Sequence, residues 1–152
     1  MVVKRRRRIA LPPEACKFYA MDWTETHAPT LDDLEKLASR AFIDLPDDFR
    51  RLAGDVVFMV QDFPGDDIID EMQLETPFDI LGLFSGPDLA DREGASASPH
   101  PTMIFLYRRP ILDYWSENGE PLGHIVRHVL IHEIGHHFGL SDEDMEAIEG
   151  SE

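Results

Sequence analysis

The sequence predicts an α+β fold in which a small β-sheet is covered by helices. Three observations lead there. The runs "DVVFMVQ" (55–61) and "TMIFLY" (102–107) are apolar and of strand length, and they read as buried strands. Segments with helical apolar spacing and recognisable ends lie around them. The chain has 152 residues, 43% of them hydrophobic, which suits one domain with one sizeable core.

Residues 1–28 carry basic, Pro and polar residues without clear periodicity and read mostly as a flexible extension, leaving 29–152 as the single folded domain. Thr30 is placed as the N-cap of a helix over "LDDLEKLASRAF", with Asp32 and Asp33 in the positively polarised first turn. Pro46 opens a short helix, "PDDFRRLA", that Gly54 ends. "GDDIIDEMQL" reads as another short helix, and "FDILGLFSG" as an edge-like strand stopping at Gly86. Residues 86–101 form a long polar loop. "RPILDYWSE" is helical, with Pro110 in its first turn. "NGEPLG" breaks the chain before a long helix from about Pro121 to Phe138, which Gly139 stops. The acidic segment "DEDMEAIE" closes the chain as a last helix.

Charge narrows the partners. The net charge is −16, and five of the fourteen bases fall in "KRRRR" at 4–8, whereas all thirty acids lie from Glu14 onward. An acidic body repels phosphate backbones, so nucleic acid is not expected and cationic peptides or proteins are favoured. The lone Cys16 cannot pair within the chain, no secretory pattern is visible, and the longest strongly apolar run, "VVFMV", is too short to span a bilayer. A cytoplasmic protein without membrane contact is the expectation.

The chemistry concentrates in "HVLIHEIGHHFGLSD", residues 128–142. Apolar residues surround the axis of this helix, which predicts a central, largely buried position, where unpaired ionised groups are costly. His132 and His136 are one turn apart on one face, so both imidazoles can reach one metal ion. Glu133 lies about 100° around the helix from His132 and can face the open side of that ion as a general base. This is HExxH, two zinc ligands and a base. A sharp turn at Gly139 can bring Asp142 back as a third ligand, and two His plus one carboxylate leave the fourth position for water.

"HEIGHHFGLSD" resembles the extended zincin pattern HExxHxxGxxD. Together with "LPDDFRRL", "VQDFP", "ETPFDILGLFSG", "LYRRPILDYW" and "HEIGHHFGLSDEDM", it makes the chain similar to the minimal zincin-like metallopeptidases of bacteria over roughly residues 31–147. That resemblance implies a compact zincin-like domain with a small mixed sheet and an HExxH active-site helix. It also implies one Zn2+ per chain held by His132, His136 and Asp142, with Glu133 as the base. The third ligand differs from the His of metzincins, and a full Met-turn has no room after Asp142, although Met145 can lie beneath the metal or pack in the core.

Other residues are secondary candidates. His128 can orient a ligand or touch substrate, but its position and that of His124 drift by about 40° per four-residue step away from a metal shared by His132 and His136. His137 reads as structural or exposed rather than as a proton donor. Glu143, Asp144 and Glu146 rival Asp142, and Tyr107, Tyr114 and Arg127 are candidate oxyanion donors. "ILGLF" (80–84) can receive an extended peptide by strand addition. The function expected is a zinc metallopeptidase, a hydrolase acting on peptide or protein. The alternatives are a zinc-bound regulatory or interaction module with little turnover and, from the HxxxH spacing, a metal-dependent ribonuclease, which Glu133 and the acidic body disfavour.

Overall fold

The computed structural model describes residues 22–86 and 101–151. In chain order they form α1 (Leu31–Ile43), α2 (Asp47–Ala53), β1 (Val56–Gln61), α3 (Asp66–Glu71), β2 (Gly82–Ser85), β3 (Thr102–Tyr107), α4 (Arg108–Asn118), α5 (Leu122–His137) and α6 (Asp142–Glu149). The fold is α+β with a small mixed sheet. The expected extension falls mainly outside the described residues, as does nearly all of the loop expected at 86–101. Residues 22–28 are exposed.

The strand order is β1-β3-β2. β3 runs parallel to β1, from Val56 opposite Thr102 to Gln61 opposite Tyr107, and antiparallel to β2, from Gly82 opposite Leu106 to Ser85 opposite Met103. β3 is therefore central, and Ile104 and Leu106 are fully buried, as its apolar run implied. β2 is an edge, also as expected. β1 corrects its expectation as a buried strand. Val56, Phe58 and Val60 pack on the core, whereas Val57 and Met59 are 45% and 38% exposed. The uniform apolar run concealed an alternation, because an edge strand with helices on one face has only that face to bury.

Local chemistry sets the element ends. Thr30 Oγ1 accepts from Asp33 N (3.2 Å) while the Asp33 carboxylate accepts from Thr30 N (2.9 Å), a reciprocal cap for α1. The same arrangement starts α6 with Ser141 and Asp144. Leu34 and Ala38 of α1 are wholly buried, and α1 packs against both α5 and β1. At the start of β3, the buried Thr102 hydroxyl donates to Ala53 O (3.1 Å), joining strand to α2. Arg108 ties the entry to α1 to the end of β1, with Nε donating to Pro29 O (2.5 Å) and Nη1 to Asp62 Oδ1 (3.0 Å). Among the described residues the core draws on the three strands and on each helix except α3.

Replacing Thr30 by Ala should lower stability by about 1 kcal/mol in urea unfolding, since one first-turn N–H loses its acceptor. An unchanged midpoint would show that the cap makes no net contribution. Hydrogen bonds from Thr30, backbone first, hold the Asp33 carboxyl below its usual range. The unfolded chain therefore takes up this proton first, so the stabilisation is complete at neutral pH and is lost as pH falls through about 3.9 and below. Wild type should exceed Asp33→Asn in stability at pH 7, and the gap should narrow as pH falls below about 3.9. A constant gap would contradict the linkage.

Candidate metal centre

α5 positions the motif because one broad side of it builds the core. Ile125, Val126, Val129, Leu130, Ile131, Ile134 and Gly135 are buried, and the helix contacts α1, β2, α4 and α6. The ionisable groups occupy the other side: His124, His128 and His136 are exposed, and His132 and Glu133 are half-buried. The helix is central, as its composition implied, but His124, His128 and His136 face outward, and only His132, Glu133 and His137 are partly covered.

Glu133 turns towards the sheet. Its Oε2 accepts from Phe84 N at 3.2 Å. Because Leu81 O receives Tyr107 N across the β2–β3 pair, Phe84 carries the opposite alternation and directs its N–H to the outer edge of β2. Burial pushes the Glu133 carboxyl above its ordinary range, against the pull of the Phe84 N–H and of His136. Tyr107, 1% exposed, has its phenol raised first by burial, then by Asp67 and Glu133. His137 stacks on Phe84 with ring centroids 4.0 Å apart, a structural place for a residue expected to be structural or exposed.

After α5 the chain reverses. Gly139 has φ +71°, and Leu140 N donates to Gly135 O at 2.9 Å. α6 then runs back along α5. Met145 is fully buried, and a Cβ added at Gly135 would lie 2.5 Å from its sulfur, so any larger residue at this position of HEIGH would have to displace the thioether. Burying such a side chain contributes about 1.5–3 kcal/mol. Farther along, Arg127 Nη2 donates to Ile148 O at 2.9 Å. Met145 is thus core packing beneath the motif helix.

The residues expected to act together are placed as follows. His132 and His136 stand one turn apart, with ring centroids 5.5 Å apart and planes at 79°. Asp142 is exposed in the first turn of α6. The carboxylate that reaches His132 is instead Glu149, at the far end of α6. Its Oε1 lies 3.2 Å from His132 Nε2 and 2.7 Å from His128 Nδ1. Burial, then the neighbouring His128, lowers the His132 pKa, while Glu149 opposes them. Asp144 is engaged by Ser141, and Glu143 and Glu146 are exposed. Tyr114 is 39% exposed, and Arg127 is occupied by the end of α6.

Glu149 was not singled out from the sequence. Its signal lay in counting helical turns: from residue 142 to 149 a helix climbs about 10 Å, and an antiparallel return carries its end from His136 towards His128. The donors around α5 suit zinc: imidazole nitrogens one turn apart, the Glu149 carboxylate within reach on α6, and a half-buried glutamate next to His132.

A small mixed sheet with an HExxH helix beneath its edge strand is the arrangement of a compact zincin-like domain. The sequence profile of the zincin-like metallopeptidases matches residues 53–151, and the chain belongs to that family. No curated protein sequence matches it. No helix among the described residues is long and apolar enough to cross a membrane.

Gly135→Ala tests the α5–α6 contact. Alanine favours an isolated helix by about 1 kcal/mol, yet displacing Met145 should lower the melting temperature, with a net loss of about 1 kcal/mol or more. A higher melting temperature would mean that Met145 moves aside freely.

Proposed function

We propose that the chain is a zinc-dependent peptidase in which Glu133 serves as general base and His132, His136 and Asp142 hold the ion. The observation that supports this most directly is the position of Glu133, half-buried beside His132 and bonded to the outer-edge N–H of Phe84. An extended peptide adding to β2 would run along that edge and pass this carboxylate. Zinc bound there would supply an acidified water and polarise the scissile carbonyl.

The chain's own residues supply the remaining functions. Among the described residues β2 is an edge strand, and its outward backbone groups other than the Phe84 N–H held by Glu133 would orient a peptide antiparallel or parallel to itself. Phe84, His137 and Phe138 form an aromatic cluster behind that edge, keeping β2 seated on the end of α5. The raised carboxyl of Glu133 makes it a better proton acceptor than an exposed glutamate, and its hydrogen bond to Phe84 holds it at the strand. The substrate class proposed is peptide or protein, with cationic sequences favoured by the excess of thirty acids over fourteen bases. The same charge disfavours RNA.

Glu133→Gln is the decisive variant. It should keep the zinc content of the wild type and lose about 10²–10⁴-fold in hydrolysis of a quenched-fluorescence peptide library. Equal cleavage by the variant would remove Glu133 from the chemistry. A zinc-loaded wild type that cleaves nothing in the library would favour the interaction-module reading instead.

A further inference from the structure

We propose that His128, His132 and Glu149 form a second transition-metal site, which shares His132 with the HExxH set and competes with it for a single zinc ion.

The three side chains bring one ligand atom each within 4.8 Å of the others. Around a tetrahedral zinc with bonds of about 2.0–2.1 Å, ligand atoms stand about 3.3 Å apart. Of the separations from Glu149 Oε1, 3.2 Å to His132 Nε2 matches that spacing, and 2.7 Å to His128 Nδ1 is a hydrogen-bonding distance that a shift of about 0.6 Å would widen to it. The imidazoles are stacked with centroids 4.0 Å apart. Glu149 Oε1 is buried and has no hydrogen-bond partner among the described residues beyond these two ring nitrogens. Two imidazoles and a carboxylate are a donor set suited to zinc, with water as the fourth ligand. A cavity of ≈ 190 Å³ lined by Glu120, His124, Arg127, His128 and Glu149 opens beside the cluster and can admit that water.

The site is held in place by packing rather than by chance surface contact. Met145 against Gly135 and Arg127 on Ile148 O fix the middle and the C-terminal end of α6 along α5, so the last residue of α6 arrives beside His128. The two ligand sets then differ by one turn along α5 and by opposite ends of α6, while both include His132. One uses His132, His136 and the first residue of α6, and the other uses His128, His132 and its last.

The competition rests on the ligand set proposed above; the His128–His132–Glu149 site does not. In the structure the His132 atom turned to Glu149 is Nε2. Once that nitrogen binds an ion beside His128, it is unavailable to His136. Zinc held beside Glu149 would therefore leave the peptidase position incomplete, and ligand exchange on Nε2 would move the ion between them.

Zinc titration of the full chain against a chromophoric chelator tests this, with circular dichroism verifying the fold of each variant. Wild type should bind one zinc. His136→Ala/Asp142→Ala should still bind one, and adding Glu149→Gln to that variant should weaken binding at least about 100-fold, since loss of even an outer-shell partner costs 10–100-fold. A folded His136→Ala/Asp142→Ala protein that binds no zinc, or one indifferent to Glu149→Gln, would overturn the site. Two zinc ions per wild-type chain would overturn the sharing of His132. The complementary His128→Ala/Glu149→Gln variant isolates the other set: failure to bind there counts against the proposed peptidase ligands and leaves the second site standing.

Discussion

The return of α6 along α5 is the contact on which the metal chemistry depends. α5 alone offers a line of imidazoles with no carboxylate opposite them. Gly139 reverses the chain at φ +71°, and the absence of a side chain at Gly135 lets the buried Met145 seat against the helix. Every acidic side chain of α6 is then delivered to a definite height along α5. The apolar contact thus decides where the charges meet, and a fraction of the core's burial energy holds a cluster of otherwise solvent-seeking groups together.

The same division of labour governs the sheet side. β2 lies on α5 through Phe84, while Phe84 N–H points to the outer edge, where the Glu133 carboxylate accepts from it. A carboxylate in that half-buried position is harder to ionise than one in water, and the strand N–H partly compensates. The places of Glu133, the edge strand and the histidines thus come from three requirements on one helix: an apolar side for the core, a glutamate turned to the sheet, and histidines turned outward.

Much of this was legible in the sequence. HExxH, the left-handed turn at Gly139, the Thr30 cap and the edge position of β2 all follow from local residue chemistry, and the structure shows the same helix ends. What was not legible depended on tertiary packing. The alternating exposure of β1 is hidden in "VVFMV", where both faces carry apolar residues. Gly135 is one of the variable positions of HExxH, and only the arrival of Met145 explains its size. Glu149 escaped notice because motif spacing directs attention to Asp142, whereas its own partner, His128, becomes apparent only when α6 is laid antiparallel to α5. The sequence pattern identifies the chemistry of the donors; the packing of two helices selects which donors touch.

Zinc-edge X-ray absorption on the wild-type protein, loaded with one equivalent of the metal, tests the central claim most directly. A first shell of nitrogen and oxygen at about 2.0–2.1 Å, with the outer scattering of two imidazoles and no sulfur, is the predicted result. Both ligand sets on α5 and α6 share that signature, so it tests the claim that this helix pair is a metal centre without presupposing which set is occupied. The spectrum of a hydrated ion, or a sulfur shell near about 2.3 Å, would contradict the account.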